Sequence, residues 1–349
     1  MRGAGRWPRL AVGLVAGAAV LATHAAPAAA DPPAPSDFRS TVTAVEPDAG
    51  GIRVEVVGGD AFLELAVEEG HDAEVEGYGG EPYLRFRADG TVERNARSEA
   101  TYLNEDRRGA VELPDRADND AEPEWEVVAE GGTYAWHDHR IHWMGAGPPP
   151  GVSPGDVVQS WTVALTVDGT PVAVRGELVR AEDVSPLPWI ALALAAAGAV
   201  VRAGRQRPRP AAAVAVVAGG VVAAVAGFGE LSAAPADSGA SPLVFVVPAL
   251  GVLFGLLGLG GALRALPLER QAPALTLAGA ASLVGWAVLR AEVLWTPVLP
   301  TRWAAGLDRA STALALGLAL AAAGLVVWAG GLAAPRRAVA ASGGGGDPR

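Results

Sequence analysis

Between residues 41 and 179, apolar and polar positions alternate in short runs, the period of a strand with one face buried. The runs are Thr41–Val45, Ile52–Val57, Phe62–Val67, Ala73–Glu76, Tyr83–Arg87, Thr91–Glu93, Glu124–Val128, Thr133–Trp143, Val157–Val167 and Pro171–Val179. Gly-Gly pairs at 50–51, 58–59, 79–80 and 131–132 punctuate them, and Asp89-Gly90 and Asp168-Gly169 fit hairpin turns. No stretch of this half carries a helical period. The pattern predicts an all-β, sandwich-like fold of immunoglobulin type.

From residue 188 the alternation gives way to five continuous apolar segments: Pro188–Val201, Ala211–Phe228, Leu243–Leu263, Ala274–Leu289 and Thr312–Leu332. Each approaches the ~20 residues that cross a bilayer, the first and fourth with their flanks included. They predict an α-helical bundle of five transmembrane spans. Arg202, Arg205, Arg207, Arg209, Arg264, Arg270, Arg336 and Arg337 follow the first, third and fifth spans, whereas the opposite loops carry Glu230, Asp237, Glu292 and Asp308 with only Arg290, Arg302 and Arg309. The positive-inside rule then places residues 31–187 outside the cell membrane and the carboxyl terminus inside. Trp189, Trp295 and Trp303 fall at the outer interface. No ionisable residue sits mid-span, which disfavours a transporter. Gly251 and Gly255 form a GxxxG pair suited to close helix packing. The apolar loop Val293–Trp303 is expected in the interface or folded back on the bundle.

Arg2, Arg6 and Arg9, an apolar run Leu10–Ala22 and Ala28-Ala29-Ala30 make a secretory signal over residues 1–30, with mature protein beginning near Asp31. The expected organisation is a signal peptide (1–30), an extracytoplasmic β-domain (31–183), five spans (184–334) and a Gly-rich cytoplasmic tail (335–349).

Charge sharpens this division. Residues 31–183 hold 32 acidic residues against 12 arginines, and residues 184–349 hold 6 against 12. The acidic half repels phosphate, which excludes nucleic acid as a partner. Cysteine is absent, so disulfides, thiolate metal sites and a Cys nucleophile are excluded.

One cluster carries candidate chemistry: Tyr134-Ala135-Trp136-His137-Asp138-His139-Arg140-Ile141-His142-Trp143-Met144. On a flat strand His137 and His139 share a face and His142 takes the other with Asp138 and Arg140, giving a two-imidazole clamp. A bulge near Arg140 would bring His142 round. Imidazoles with a carboxylate suit Zn(II) or Cu(II), so the candidate metal ligands are His137, His139, His142 and Asp138, with His71, Glu105 or Asp106 able to complete the shell. Two alternatives stand beside the metal site: buried structural imidazoles, and a pH switch that the acidic surroundings would help to protonate. The spacing His-x-His-x-x-His also occurs in metallo-β-lactamases, but Ile141 stands where those have Asp, and their flanking helices are missing. Neither Ser98 nor Ser160 has a nucleophile-elbow context, so no enzyme is expected. A second polar segment, Ser98–Gly109, with Tyr102, Asn104, Asp106 and Arg107, is expected to be a strand and tight turn, or a recognition loop beside the histidines.

Residues 133–144, with Tyr102–Arg107 upstream, resemble a family of multi-pass membrane proteins from actinobacteria; that resemblance implies the same layout and brings no activity. Trp161–Leu178, with its Asp-Gly-Thr-Pro-Val turn, resembles the closing hairpin of CopC-type copper-resistance domains, β-sandwiches that bind copper outside the membrane. The amino-terminal histidine of that family has no counterpart at Asp31, so the resemblance implies a fold and no ligand. The expectation is a membrane-tethered binding protein for copper or zinc, in contact with the lipid bilayer and a membrane or envelope partner; the alternative is an interaction module without metal.

Overall fold

The computed structural model describes residues 33–145, 147–235 and 238–330. The signal peptide expected over 1–30 and the tail expected over 335–349 lie outside these residues. Ten strands come first: β1 (Phe38–Glu46), β2 (Ile52–Val57), β3 (Phe62–Val67), β4 (Ala73–Glu76), β5 (Pro82–Phe86), β6 (Val92–Asn95), β7 (Trp125–Ala129), β8 (Thr133–His137), β9 (Val157–Val167) and β10 (Thr170–Arg180). They form a seven-stranded sheet, β1-β10-β9-β4-β5-β6-β7, and a three-stranded sheet, β2-β3-β8, antiparallel throughout.

The inner faces of the two sheets share one apolar core. Leu63, Leu65 and Val67 of β3 and Trp136 of β8 join Val75, Leu84, Phe86, Trp161, Val163, Leu165 and Val174 of the larger sheet. Alternation puts them there: along β9, residues 161, 163, 165 and 167 are buried while their neighbours are exposed or half-buried. Two departures from the strand pattern matter for the site. The run expected over Thr133–Trp143 stops being a strand at His137, and the run expected near Ser98–Gly109 contains a short helix, α1 (Ala100–Leu103).

Five long helices follow: α2 (Leu187–Gly204), α3 (Pro208–Leu231), α4 (Leu243–Ala262), α5 (Ala272–Leu289) and α6 (Ala305–Trp328). All five are long and apolar enough to span a bilayer. Small residues let them pack closely: Gly219, Gly220, Gly227, Gly251 and Gly255 lie where a side chain would overlap or crowd the neighbouring helix.

Buried charge in the bundle lies at the end nearest the β-domain, at Arg290, Asp308 and Arg309. Arg290, following α5, pairs with Asp308 of α6 at 2.8 Å and with Glu230 of α3. Arg309 donates to the carbonyls of Val293, Thr296 and Pro297, fastening the α5–α6 loop to the bundle. Trp303 Nε1 donates to Val225 O at 2.9 Å, so the loop folds back on the helices. It also reaches the β-domain, where Ser36 and Val298 exchange two backbone hydrogen bonds of 2.9 and 3.0 Å.

Gly176 of β10 faces Trp161 of β9 in register, and the indole, held by a 2.8 Å bond from Nε1 to Ser40 Oγ, lies across it. A Cβ at 176 would overlap that ring and the Thr41 carbonyl. Gly176→Ala is therefore expected to cost about 1–3 kcal/mol. Adding Trp161→Phe should recover part of that loss. Urea denaturation followed by near-ultraviolet circular dichroism of both variants checks this.

Candidate metal centre

The histidines come together because the chain turns at the end of β8. His137 is the last residue paired to β3, opposite Phe62. Asp138 then folds the backbone: its carbonyl accepts from Ile141 N at 3.1 Å, and its Oδ1 accepts from Arg140 N at 3.0 Å, the side-chain-to-backbone bond of an Asx turn. Ile141, fully buried, anchors the far side of the turn in the core. His142 is thereby returned to His137, and the two Nε2 atoms stand 3.1 Å apart. Gln159 of β9 ties the turn to the larger sheet through the carbonyls of Arg140 and His142.

The segment 98–109 supplies the opposite wall. Tyr78 OH donates to Asn104 Oδ1 and accepts from the His139 backbone N–H at 2.9 Å. Asn104 Nδ2 in turn donates to Tyr83 OH at 3.1 Å. The Tyr78 ring stacks on the His139 imidazole, 5.8 Å between centroids and 17° between planes. His139 Nε2 donates to the Asp106 carbonyl at 2.9 Å. Gly109, at φ +64°, closes that turn; a Cβ there would stand 2.9 Å from His139 Cε1.

These contacts assign protons. A carbonyl only accepts, so Nε2 of His139 carries hydrogen and Nδ1 keeps its lone pair. The 3.3 Å contact of His142 Nδ1 with Trp143 O likewise leaves Nε2 of His142 as the basic atom. Nδ1 of His137 is buried without a hydrogen bond of normal geometry, although the nearby Arg107 backbone favours its protonated form.

His137, His139 and His142 each direct one ring nitrogen into a common space, all within 4.8 Å of one another. Two nitrogens bound at about 2.1 Å to one tetrahedral ion lie roughly 3.4 Å apart, close to the His137–His142 spacing. The half-buried His139 closes the set with a shift of roughly an ångström. Among the described residues this is the one group of three or more His, Cys, Asp or Glu side chains placed to share a metal ion.

The other expected ligands lie elsewhere. Asp138 is fully buried, and its carboxylate accepts from Arg140 Nε and NH2 at 2.9 and 2.7 Å and from Trp136 Nε1 at 2.9 Å. It points into that clamp and is not in the three-histidine group. Burial alone would raise its pKa, but the Arg140 guanidinium and these hydrogen bonds outweigh it and hold the carboxyl below its ordinary value. The Asp106 carboxylate accepts from the backbone of Arg108 and Ala110, so this residue meets the cluster through its carbonyl. His71 pairs with Asp168 at 2.7 Å beside the β9–β10 turn, outside the group. Arg107, from the same wall, ion-pairs with the buried Asp60 at 2.6 Å. Ser36 Oγ also donates to Asp60, at 3.2 Å. Asp60 and Tyr78 carried no signal in the sequence beyond glycine neighbours.

Protonation runs opposite to the pH-switch expectation. Burial, then His142 and Arg107, pushes the His137 pKa down to about 3. Burial, then Arg107, pushes His142 down to about 4. Both imidazoles are neutral at neutral pH, the form that binds metal.

Comparison with protein families, with curated proteins and with solved structures finds no match to this chain.

Linkage gives the pH dependence. The unfolded chain protonates these histidines near pH 6.5, whereas the fold keeps them neutral. Stability is therefore full above pH 6.5 and declines as pH falls toward 4, by at most roughly 1.4 kcal/mol per pH unit for each imidazole. Metal-free protein should lose stability between pH 7 and 5.5, above the carboxylate range, and a His137→Gln, His142→Gln variant should lose much less. Equal slopes in denaturant titrations of the two proteins would contradict the assignment.

Proposed function

We propose that the chain is a membrane-anchored, extracytoplasmic capture protein for a divalent transition metal, Cu(II) or Zn(II). It binds through His137, His139 and His142 and presents the metal to a partner at the membrane. The observation that carries this is the convergence of three imidazole nitrogens within 4.8 Å, two of them desolvated and neutral. The acidic surface of the β-domain supports it by concentrating cations, and the arginine distribution among the loops supports the outward orientation. Capture is favoured over catalysis because the nearby carboxylates of Asp138 and Asp106 are held by Arg140 and by backbone amides, where neither serves as a general base.

The 3.1 Å Nε2–Nε2 contact favours one other reading, in which His137 donates to His142 and the cluster is a structural hydrogen-bonded core. The domain would then be an envelope interaction module. Calorimetry on the full-length, metal-stripped protein in uncharged detergent separates the two. Metal capture predicts one Cu(II) or Zn(II) per chain with micromolar or tighter affinity. His137→Ala with His139→Ala should abolish it, and Asp138→Asn should keep the stoichiometry while destabilising the turn by about 3 kcal/mol, because Arg140 loses its partner. Absence of binding to the wild-type protein would decide for the structural core.

A further inference from the structure

A recess separate from the histidines is formed by the helical bundle. It lies at the far end of the helical bundle, has a volume of about 800 Å³, and opens between the α2–α3 turn, the end of α4 and the end of α6. Arg205, Arg207 and Arg209 come from the first of these and Arg264 from the second, while Trp328 and Leu263 form apolar edges. None of the four guanidiniums has a carboxylate partner among the described residues. Elsewhere the fold does pair its charges: Arg290 of the opposite end is held by Asp308 and Glu230.

Arg264 adds a separate observation. Its φ is +59°, a left-handed conformation at the end of α4 where its N–H returns to Gly261 O at 3.2 Å. Glycine is the residue that this helix-ending position favours. A long charged side chain there is a local penalty that helix termination does not require, and strained positions of this kind gather at binding sites. Trp328, two-thirds exposed, and Leu263, at 58%, stand beside the arginines on a bundle whose outer faces are apolar. A ligand fitting both chemistries has an anionic head and an apolar body.

We propose that this recess binds the phosphate group of an anionic membrane lipid. The forked, permanently charged guanidinium suits phosphate oxygens, basic recesses between helix ends suit phospholipid head groups, and an indole at the rim suits the bilayer interface. The site is independent of the histidine cluster.

Native mass spectrometry of the full-length protein in uncharged detergent tests this with phosphatidylglycerol, cardiolipin and phosphatidylcholine. The wild-type protein should retain the two anionic lipids preferentially. Arg207→Gln with Arg264→Gln should lower their apparent affinity by roughly an order of magnitude. Arg202→Gln with Arg270→Gln removes the same charge from the same end, outside the recess, and should change it little. Arg264→Gly keeps the left-handed backbone while removing the guanidinium, so it should weaken lipid retention with an unchanged or raised melting temperature. Equal losses in both double variants, or no preference for anionic lipid, would overturn the proposal. Binding of inorganic phosphate alone, with no lipid preference, would assign the recess to a soluble anion and overturn the lipid occupant.

Discussion

A buried carboxylate sets the geometry of the histidine cluster in the β-domain. Asp138 has no access to water, and an ionised group there is tolerable only if its lone pairs are filled. Arg140, two residues on, and Trp136, two residues back, fill them. That local requirement ends β8, because an extended chain would send Asp138 and Arg140 along the same face without bringing the backbone N–H of residue 140 to the carboxylate. The turn then follows, Ile141 enters the core, and His142 is brought back to His137. The convergence of the three histidines is thus a consequence of satisfying a charge that lies outside their group. Asp138 acts on the site by shaping the chain, in the way outer groups orient ligands in known metal centres.

This also marks where the sequence stops being informative. Alternation in β9 and β10 is regular because both strands lie in one sheet with one face in the core, so those elements were legible to within a residue or two. The five apolar helices were legible for the same kind of reason: composition and length carry the signal. Thr133–Trp143 was not, because its apolar residues Trp136 and Ile141 both reach the core, but from opposite limbs of a turn. The histidine cluster was visible in the chain, yet its geometry depended on whether Asp138 would be exposed as a ligand or buried as a clasp. Burial of a residue depends on the far wall, and Tyr78 and Asn104 come from segments 35 to 60 residues away. In Ser98–Gly109 the expected tight turn is present beside the histidines, but the expected strand before it is a helix of four residues, too short to show a period.

The second wall has a further structural role. Arg107 leaves the loop that supports His139 and meets Asp60 in the turn between β2 and β3; Asp60 also takes the Ser36 hydroxyl, and the Ser36 backbone pairs with Val298 of the helical domain. The Arg290, Asp308 and Glu230 group and the carbonyl contacts of Arg309 stiffen the loop carrying Val298. Charged groups are thus used twice at the junction, once to fix the α5–α6 loop on the bundle and once to fix the histidine wall on the turn between β2 and β3. The domain holding the cluster pairs with the α5–α6 loop at the Ser36–Val298 bridge, and buried carboxylates are ion-paired on both sides of it, Asp60 with Arg107 and Asp308 with Arg290.

Long-range and short-range electrostatics pull in opposite directions at the histidines, and their ranges decide which prevails. The excess of acidic residues over arginines in residues 31–183 produces a negative field that favours any cation, proton or metal alike. Salt screens that field over about 8–10 Å, so it acts at the surface and on approaching ions. Inside, removal of water from His137 and His142 and the proximity of Arg107 oppose charge on the rings themselves. A proton can enter only by placing a positive charge on an imidazole that has lost its solvent. A metal ion held by the three imidazoles would bring its own charge but would repay the cost through three nitrogen bonds at once, which no single proton can do. If the cluster binds metal as proposed, the combination of an acidic exterior with desolvated, neutral imidazoles would separate two cations that the surface alone would treat alike, in favour of the metal.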